Sequence, residues 1–252
     1  MRTLAVYNVK GGVGKTTTAV NLAYLSAREG RRTLLWDLDP QAAATYLFRV
    51  KPRVRGGSGK LVRRKRPLDD AIKGTDFDRL DLLPADFTYR NMDLDLADTS
   101  QPSNRLRRLL APLADEYDLV VLDTPPSVSL VSENVLDAAD LVLVPVIPTV
   151  LAVRTFEQLT AFVDELARDG HRPHIHAFFS MVDRRKSLHR GLVDRLSKER
   201  DDVGAVAVPA LSVVERMTLT RAPLPAFAPT STAARAFERL WTEVAPLLDA
   251  AD

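Results

Sequence analysis

Lys10-Gly11-Gly12-Val13-Gly14-Lys15-Thr16-Thr17 stands between an apolar, β-branched run at Thr3–Tyr7 and a segment, 15–29, whose apolar residues recur at helical spacing. In a strand, glycine loop, helix arrangement the backbone N–H groups curl around phosphate oxygens, and the helix N-terminus adds partial positive charge. Lys15 is placed to reach β- and γ-phosphates, and the Thr16 hydroxyl to ligate magnesium. The generic pattern G-x-x-x-x-G-K-[ST] asks for glycine at position 9. This chain has Val9 there, and a second lysine, Lys10, opens the loop instead. Two further apolar runs end in acids: Leu34-Leu35-Trp36-Asp37-Leu38-Asp39-Pro40-Gln41 and Leu119-Val120-Val121-Leu122-Asp123-Thr124-Pro125-Pro126. Carboxylates there would project from the C-terminal edge of a sheet, where ligands bind in such folds. For Asp37 and Asp39 the other reading is helix N-capping ahead of Ala42–Ala44.

With Lys10 at its start, the loop resembles the deviant phosphate loop of the ParA/MinD group of P-loop ATPases. The Asp37–Gln41 segment is similar to that family's D-x-D-P-Q stretch, and 119–126 resembles its Walker B strand with the loop that follows. The three motifs span 8–126, and the likeness continues through Leu141–Val146 and a helix near Val153, leaving only a basic stretch uncovered. The resemblance implies that Lys10 reaches across a homodimer to the partner's nucleotide and that Asp39 orients the attacking water. It also implies that Asp37 supports the magnesium shell and that Asp123 holds a magnesium-bound water. The implied catalytic set is Lys10, Lys15 and Asp39. Gly11, Gly12, Val13, Gly14, Lys15, Thr16 and Thr17 would bind nucleotide, and Thr16, Asp37 and Asp123 the metal. ATP and Mg2+ are the expected cofactors. Hydrolysis should be slow and partner-stimulated, since no arginine finger is evident nearby.

Within this group, reductase and arsenite-pump branches use cysteines, and the chain has none. A membrane-cycling, MinD-like member would end in a cationic amphipathic helix. Here Ala233, Phe237, Leu240, Trp241, Val244 and Leu248 share one face, Arg235 and Arg239 mix with Glu238 and Glu243, and the end is acidic, so no stable membrane binding is expected. The resemblance therefore points to the short ParA type, which partitions or positions a cargo by binding DNA without sequence preference once ATP has locked the dimer, aided by a separate adaptor of ParB type. Candidate DNA contacts are Arg184, Arg185, Lys186 and Arg190, with His189, Arg195 and Lys198 around the same helix, and Arg216 and Arg221 further on. Many short ParA proteins carry an Arg-x-Ser-Glu-Ala-Pro stretch where this chain reads Val213-Val214-Glu215-Arg216-Met217-Thr218. The arginine expected near 213 is missing. The alternatives are a MinD-like positioning ATPase and an ATP-dependent biosynthetic ligase on the same fold.

The elements that must hold these residues alternate. Strands are predicted at Thr3–Tyr7, Thr33–Trp36, Leu80–Leu83, Leu119–Leu122, Leu141–Val146, Ile175–Phe179 and Ala205–Val208, with helices at 15–29, 103–116, 151–169, 187–200 and 231–248. That pattern gives an α/β fold with a doubly wound, mainly parallel sheet of P-loop NTPase type, one domain over 1–252. Its 252 residues, 46% apolar and 27% charged, suit a globule and exclude a disordered chain. Without cysteine there is no disulfide scaffold, thiolate zinc site or cysteine nucleophile. No apolar run approaches the ~18 residues of a membrane span, and Met1–Val6 runs directly into a strand, so a cytoplasmic, nucleoid-associated protein is expected. The net charge of +2 conceals nine Lys or Arg and no acid between Arg49 and Arg66, which leaves −7 on the rest. Nine aspartates follow between Asp69 and Asp98. Pro52–Gly59 reads as linker-like, and the arm as a flexible cationic tether for phosphates, a dock for an acidic partner or a solvated loop. His171, His174 and His176 lack the ligand set of a zinc site, and the aspartates lack calcium-loop spacing.

Overall fold

The structure is a computed structural model that describes residues 1–65, 67–167 and 171–250. Eight strands form one sheet: β1 Arg2–Val6, β2 Thr33–Asp37, β3 Lys73–Gly74, β4 Leu80–Leu83, β5 Leu119–Asp123, β6 Leu141–Val146, β7 His174–Val182 and β8 Val203–Pro209. Their order is β3-β4-β2-β5-β1-β6-β7-β8, and every pairing is parallel except that of β3 with β4. The central strands are buried and mostly apolar because helices cover both faces, with Asp37 and Asp123 at the ends of β2 and β5. Side-chain alternation divides each strand between two cores. Tyr7, Trp36, Val120 and Leu122 face one, and Leu4, Val6, Leu35 and Val121 the other.

Eleven helices are named here in chain order: α1 Lys15–Arg28, α2 Ala43–Leu47, α3 Gly57–Val62, α4 Met92–Ala97, α5 Arg105–Leu110, α6 Leu130–Ala138, α7 Val150–Leu166, α8 Ser187–Glu199, α9 Ser212–Thr220, α10 Leu224–Phe227 and α11 Thr232–Ala250. Among them, α1, α2, α9 and α11 contribute buried residues to one core, while α3 to α8 contribute to the other. All six apolar residues assigned to one face of α11 are buried.

Two expectations are corrected. Residues 103–116 do not form one helix: a 3-10 turn at Pro102–Asn104, the short α5 and a second turn at Ala111–Leu113 replace it. Pro112 supplies no N–H to continue the ladder, and the Asn134 side chain accepts from the Arg105 and Leu106 N–H groups. The Pro52–Gly59 linker is folded too. The chain leaves the first core near Phe48 and enters the second at Val54, then forms α3, which buries Gly57, Ser58, Leu61 and Val62. Asp86 accepts from the Val54 N–H at 2.7 Å, and the Ser58 hydroxyl donates to Asp95 at 2.6 Å. The arm is therefore not a free tether. Arg49 pairs with Asp76 and Arg63 with Asp95 and Asp98, so part of the aspartate-rich stretch neutralises the basic one. Arg66 lies outside the described residues.

Candidate nucleotide site

The glycine loop leaves β1 at the centre of the sheet's C-terminal edge. Gly12 and Gly14 have φ of +69° and +93°, a region open to glycine at little cost, and a Cβ on Gly14 would stand 3.0 Å from the Ser180 hydroxyl. Helix α1 starts at Lys15 with no side-chain cap and no acid in its first turn, so its free N–H groups face the loop as an anion site. Asn8, not singled out in the sequence, fixes the approach. Its amide donates to the Pro145 carbonyl on β6, and its oxygen accepts from the Lys10 N–H, both at 2.9 Å.

The two lysines are held differently. Lys15 is 6% exposed and its ammonium donates to the Lys10 carbonyl at 2.8 Å, spanning the loop from inside. Burial lowers its pKa, and the carboxylates of Asp123 and Asp39 pull it back toward the charged form. The Lys10 side chain is half-buried, and no hydrogen bond or ion pair ties its ammonium among the described residues.

Asp37 and Asp123 end adjacent strands in the same register, and both are fully buried. Asp37 accepts from the Thr45 N–H and hydroxyl, at 2.8 and 2.7 Å, and from the Asp39 N–H at 3.2 Å. Its lone pairs thus hold the first turn of α2 from outside the helix; the N-cap position itself is Ala42, so neither Asp37 nor Asp39 is the N-cap. Burial pushes its pKa up to about 6 despite those bonds. Among the described residues neither oxygen of Asp123 meets a donor at hydrogen-bonding geometry. Burial and the neighbouring Asp37 raise the Asp123 pKa well above the carboxylate range, opposed by Thr16 and Lys15. A buried carboxylate with both oxygens unspent, beside the Thr16 hydroxyl, fits a divalent cation with hard oxygen ligands. Asp39 is half-buried at the mouth, one oxygen accepting from the Gln41 N–H at 2.9 Å.

A cleft of about 540 Å³ extends from the loop past the C-terminal ends of β7 and β8 to α9, lined by Lys15, Thr16 and Asp39 together with Met181, Pro209 and Leu211. That size accommodates one small-molecule ligand. Nothing in the sequence flagged the 209–211 wall, since an apolar loop end has no spacing signature.

The family model described as an AAA domain (AAA_31) matches residues 1–177. The chromosome partitioning protein ParA of Myxococcus xanthus is 35% identical, the match covering 77% of this chain and 70% of that protein. The sporulation initiation inhibitor protein Soj of Bacillus subtilis is 31% identical across 96% of this chain and 97% of its own length. The chain belongs to the ParA/MinD group of P-loop ATPases. Its fold is also similar to that of the cobyrinic acid a,c-diamide synthase of Mycobacterium smegmatis, solved with an ATP analogue and magnesium. That likeness has a TM-score of 0.84 at 26% identity and covers 100% of this chain and 97% of the other.

Among the cations that the ParA resemblance made candidates for DNA contact, Arg184, Lys186, Arg195, Lys198 and Arg216 are exposed on or beside α8 and α9. Arg190 is exposed as well, and its guanidinium donates to the Arg184 carbonyl. Arg185 is exposed but forms a two-pronged pair with Asp183, at 3.0 and 3.1 Å. His189 is buried, its Nδ1 accepting from the Asp183 N–H. Arg221 is committed internally: its Nε donates to the Tyr46 carbonyl and its guanidinium lies 4.4 Å from the Tyr46 ring centre. Both side chains are thus engaged within the fold. His176 is engaged by Glu243 at 2.7 Å. No helix among the described residues is long and apolar enough to cross a membrane.

Proposed function

We propose that this ParA-group protein is an ATP-dependent, dimerising ATPase that binds DNA without sequence preference and positions a cargo on the nucleoid. The observation that carries the reading is the pair of lysines in one loop. Lys15 turns inward to span it, and Lys10 keeps an uncommitted ammonium at the mouth, available to a second subunit's nucleotide. Adenosine triphosphate with magnesium is the cofactor, by analogy with the synthase solved with both and because the glycine loop, Thr16 and Asp123 offer the required donors. Bound magnesium would neutralise charge on the phosphates. This chain's own residues supply the rest: backbone N–H groups cradle the phosphates, Lys15 holds their oxygens, and Asp39 positions a water in line. Phosphoryl transfer needs little beyond such positioning. An adaptor of ParB type would stimulate turnover, and a plasmid, chromosome or protein complex would be the cargo. Both cores share one sheet, which supports reading 1–252 as a single unit.

Likeness to the synthase supports a second reading, an ATP-dependent amidating ligase. Against it, the cleft must already take the nucleotide, and two smaller cavities among the described residues, one beside α3 and one between α7, β7 and α8, hold only about 10 Å³ each. Asp39→Ala should bind ATP as the wild type does and lose at least about tenfold in turnover, as expected for loss of one positioning group. Normal hydrolysis by that variant overturns the role given to Asp39. Phosphate release that rises with a small carboxylic acid, and is indifferent to DNA, would favour the ligase.

A further inference from the structure

Helix α3 ends in a backbone pattern that usually takes glycine. The Lys65 N–H donates to the Lys60 carbonyl and the Arg64 N–H to the Leu61 carbonyl, each at 3.0 Å, and Arg64 lies between them with φ of +53°. An arginine in the left-handed region is strained, and strain kept at a surface turn invites a functional explanation. Two other arginines held this way have side-chain work inside the fold, Arg49 bonding Asp76 and the Thr220 carbonyl and Arg221 clasping Tyr46, while Arg79 serves through its carbonyl, which accepts from the Thr33 N–H. Arg64 has no acidic partner within salt-bridge distance among the described residues.

Its neighbours do not compensate it. Helix α5 brings Arg105 against the end of α3, where its Nε donates to the Val62 carbonyl, one of the orphan acceptors of that helix. Arg108 follows one turn later on the exposed side. The bond to Val62 sets Arg105 beside the end of α3, two residues from Arg64, and Arg108 lies three residues on along α5; burial lowers the Arg105 pKa, and the like charges of Arg64 and Arg108 each lower it further. Arg107, by contrast, is drawn off to Asp137. Lys60 and Lys65 are exposed on the same short helix and its end.

We propose that Arg64 and Arg108, flanked by Lys60 and Lys65 and braced by Arg105, form a second cationic surface that takes the phosphate backbone of duplex DNA. This inference rests on the DNA-binding reading above, and it assigns contacts far along the sheet from α8, on the β4 side. A duplex fits the surface better than a protein partner does. No large apolar side chain is exposed from Arg49 to Lys65 or along α5, and of the two exposed on the elements packed against α3, Phe87 is covered on one ring face by Arg90 and Leu94 stands alone, so the cationic patch itself has no apolar centre. What remains is fixed, guanidinium-rich charge, which suits phosphate oxygens and carries no sequence preference.

The test uses the full chain with magnesium and a non-hydrolysable ATP analogue, titrated with duplex DNA over a range of salt. Arg64→Gly combined with Arg108→Gln should weaken binding about tenfold for any sequence and reduce the slope of log K against log salt by about 2. Its thermal midpoint should hold or rise, because glycine relieves the backbone at 64. Arg235→Gln with Arg239→Gln, the same charge loss on α11, should leave the slope unchanged. Unaltered affinity and slope in the Arg64/Arg108 variant, with the wild type binding DNA, overturn this inference alone. An equal loss in the α11 control overturns it also, by making the effect one of net charge. Failure of the wild type to bind any duplex overturns the DNA reading and this surface with it.

Discussion

Asp37 and Asp123 show how one residue type at one sheet edge acquires two tasks. Asp37 spends its lone pairs on Thr45 and the Asp39 backbone, and Asp123 keeps both oxygens free. The sequence displayed both acids at strand ends, but which would be spent depended on where Thr45 came to lie, eight residues on. A titration follows. Asp37 holds its proton to about pH 6 when folded, against 3.8 ordinarily. A raised carboxylate pKa means that the folded state binds the proton more tightly. The contribution is therefore full below the ordinary value and lost as pH rises through about 6. Asp37→Asn removes this titration together with the share of the Asp123 shift that Asp37 causes, while the asparagine oxygen can still accept from Thr45. In urea unfolding of the nucleotide-free protein, the wild type should lose more stability between pH 5 and pH 7 than the variant does. Equal pH dependence in the two would contradict the assigned burial.

At the scale of elements, the arm is decided by a handful of anchors. Asp86 accepts from the Val54 N–H and from the N–H and hydroxyl of Thr88. Burial acts to raise its pKa, but these bonds outweigh burial and lower it. Asp86→Ala would leave a buried N–H without an acceptor, and we expect a loss of about 2 kcal/mol in chemical unfolding together with faster proteolysis within 49–65. No change in either would mean that α3 is docked by its apolar residues alone. The seven longer strands were legible because each is a short apolar, β-branched run; β3 was not, having two exposed residues. Helices with sustained periodicity, such as α8 and α11, were legible too. The short ones were hidden: α3 because Gly56-Gly57-Ser58-Gly59 signals a turn locally and is overruled by Leu61 and Val62 burying against the second core, and α6 because its Ser129 capping box contains Ser132 in place of the usual acid. The glycine loop, Lys15 and the strand-end acids were readable as a site because phosphate chemistry fixes spacing along the chain. The wall at 209–211 and the anchor Asn8 were not, since contacts between distant strands leave no local pattern.

Across the whole molecule, the charge imbalance seen along the chain is partly resolved in space: Arg49 and Arg63 pair with the aspartate-rich stretch, and the other described cations of the arm, Arg64 among them, form no ion pair with it among the described residues. The open ammonium of Lys10 is the corresponding surplus at the nucleotide site, and the central claim, an ATP-gated dimer, rests on it. The most direct measurement is analytical sedimentation of Asp39→Ala, which is expected to keep its nucleotide, with ATP or ADP and magnesium. The account requires a dimer with ATP and a monomer with ADP, and a monomer in both once Lys10→Ala is added. The same sedimentation coefficient with either nucleotide, or an ATP dimer that persists without Lys10, would contradict it.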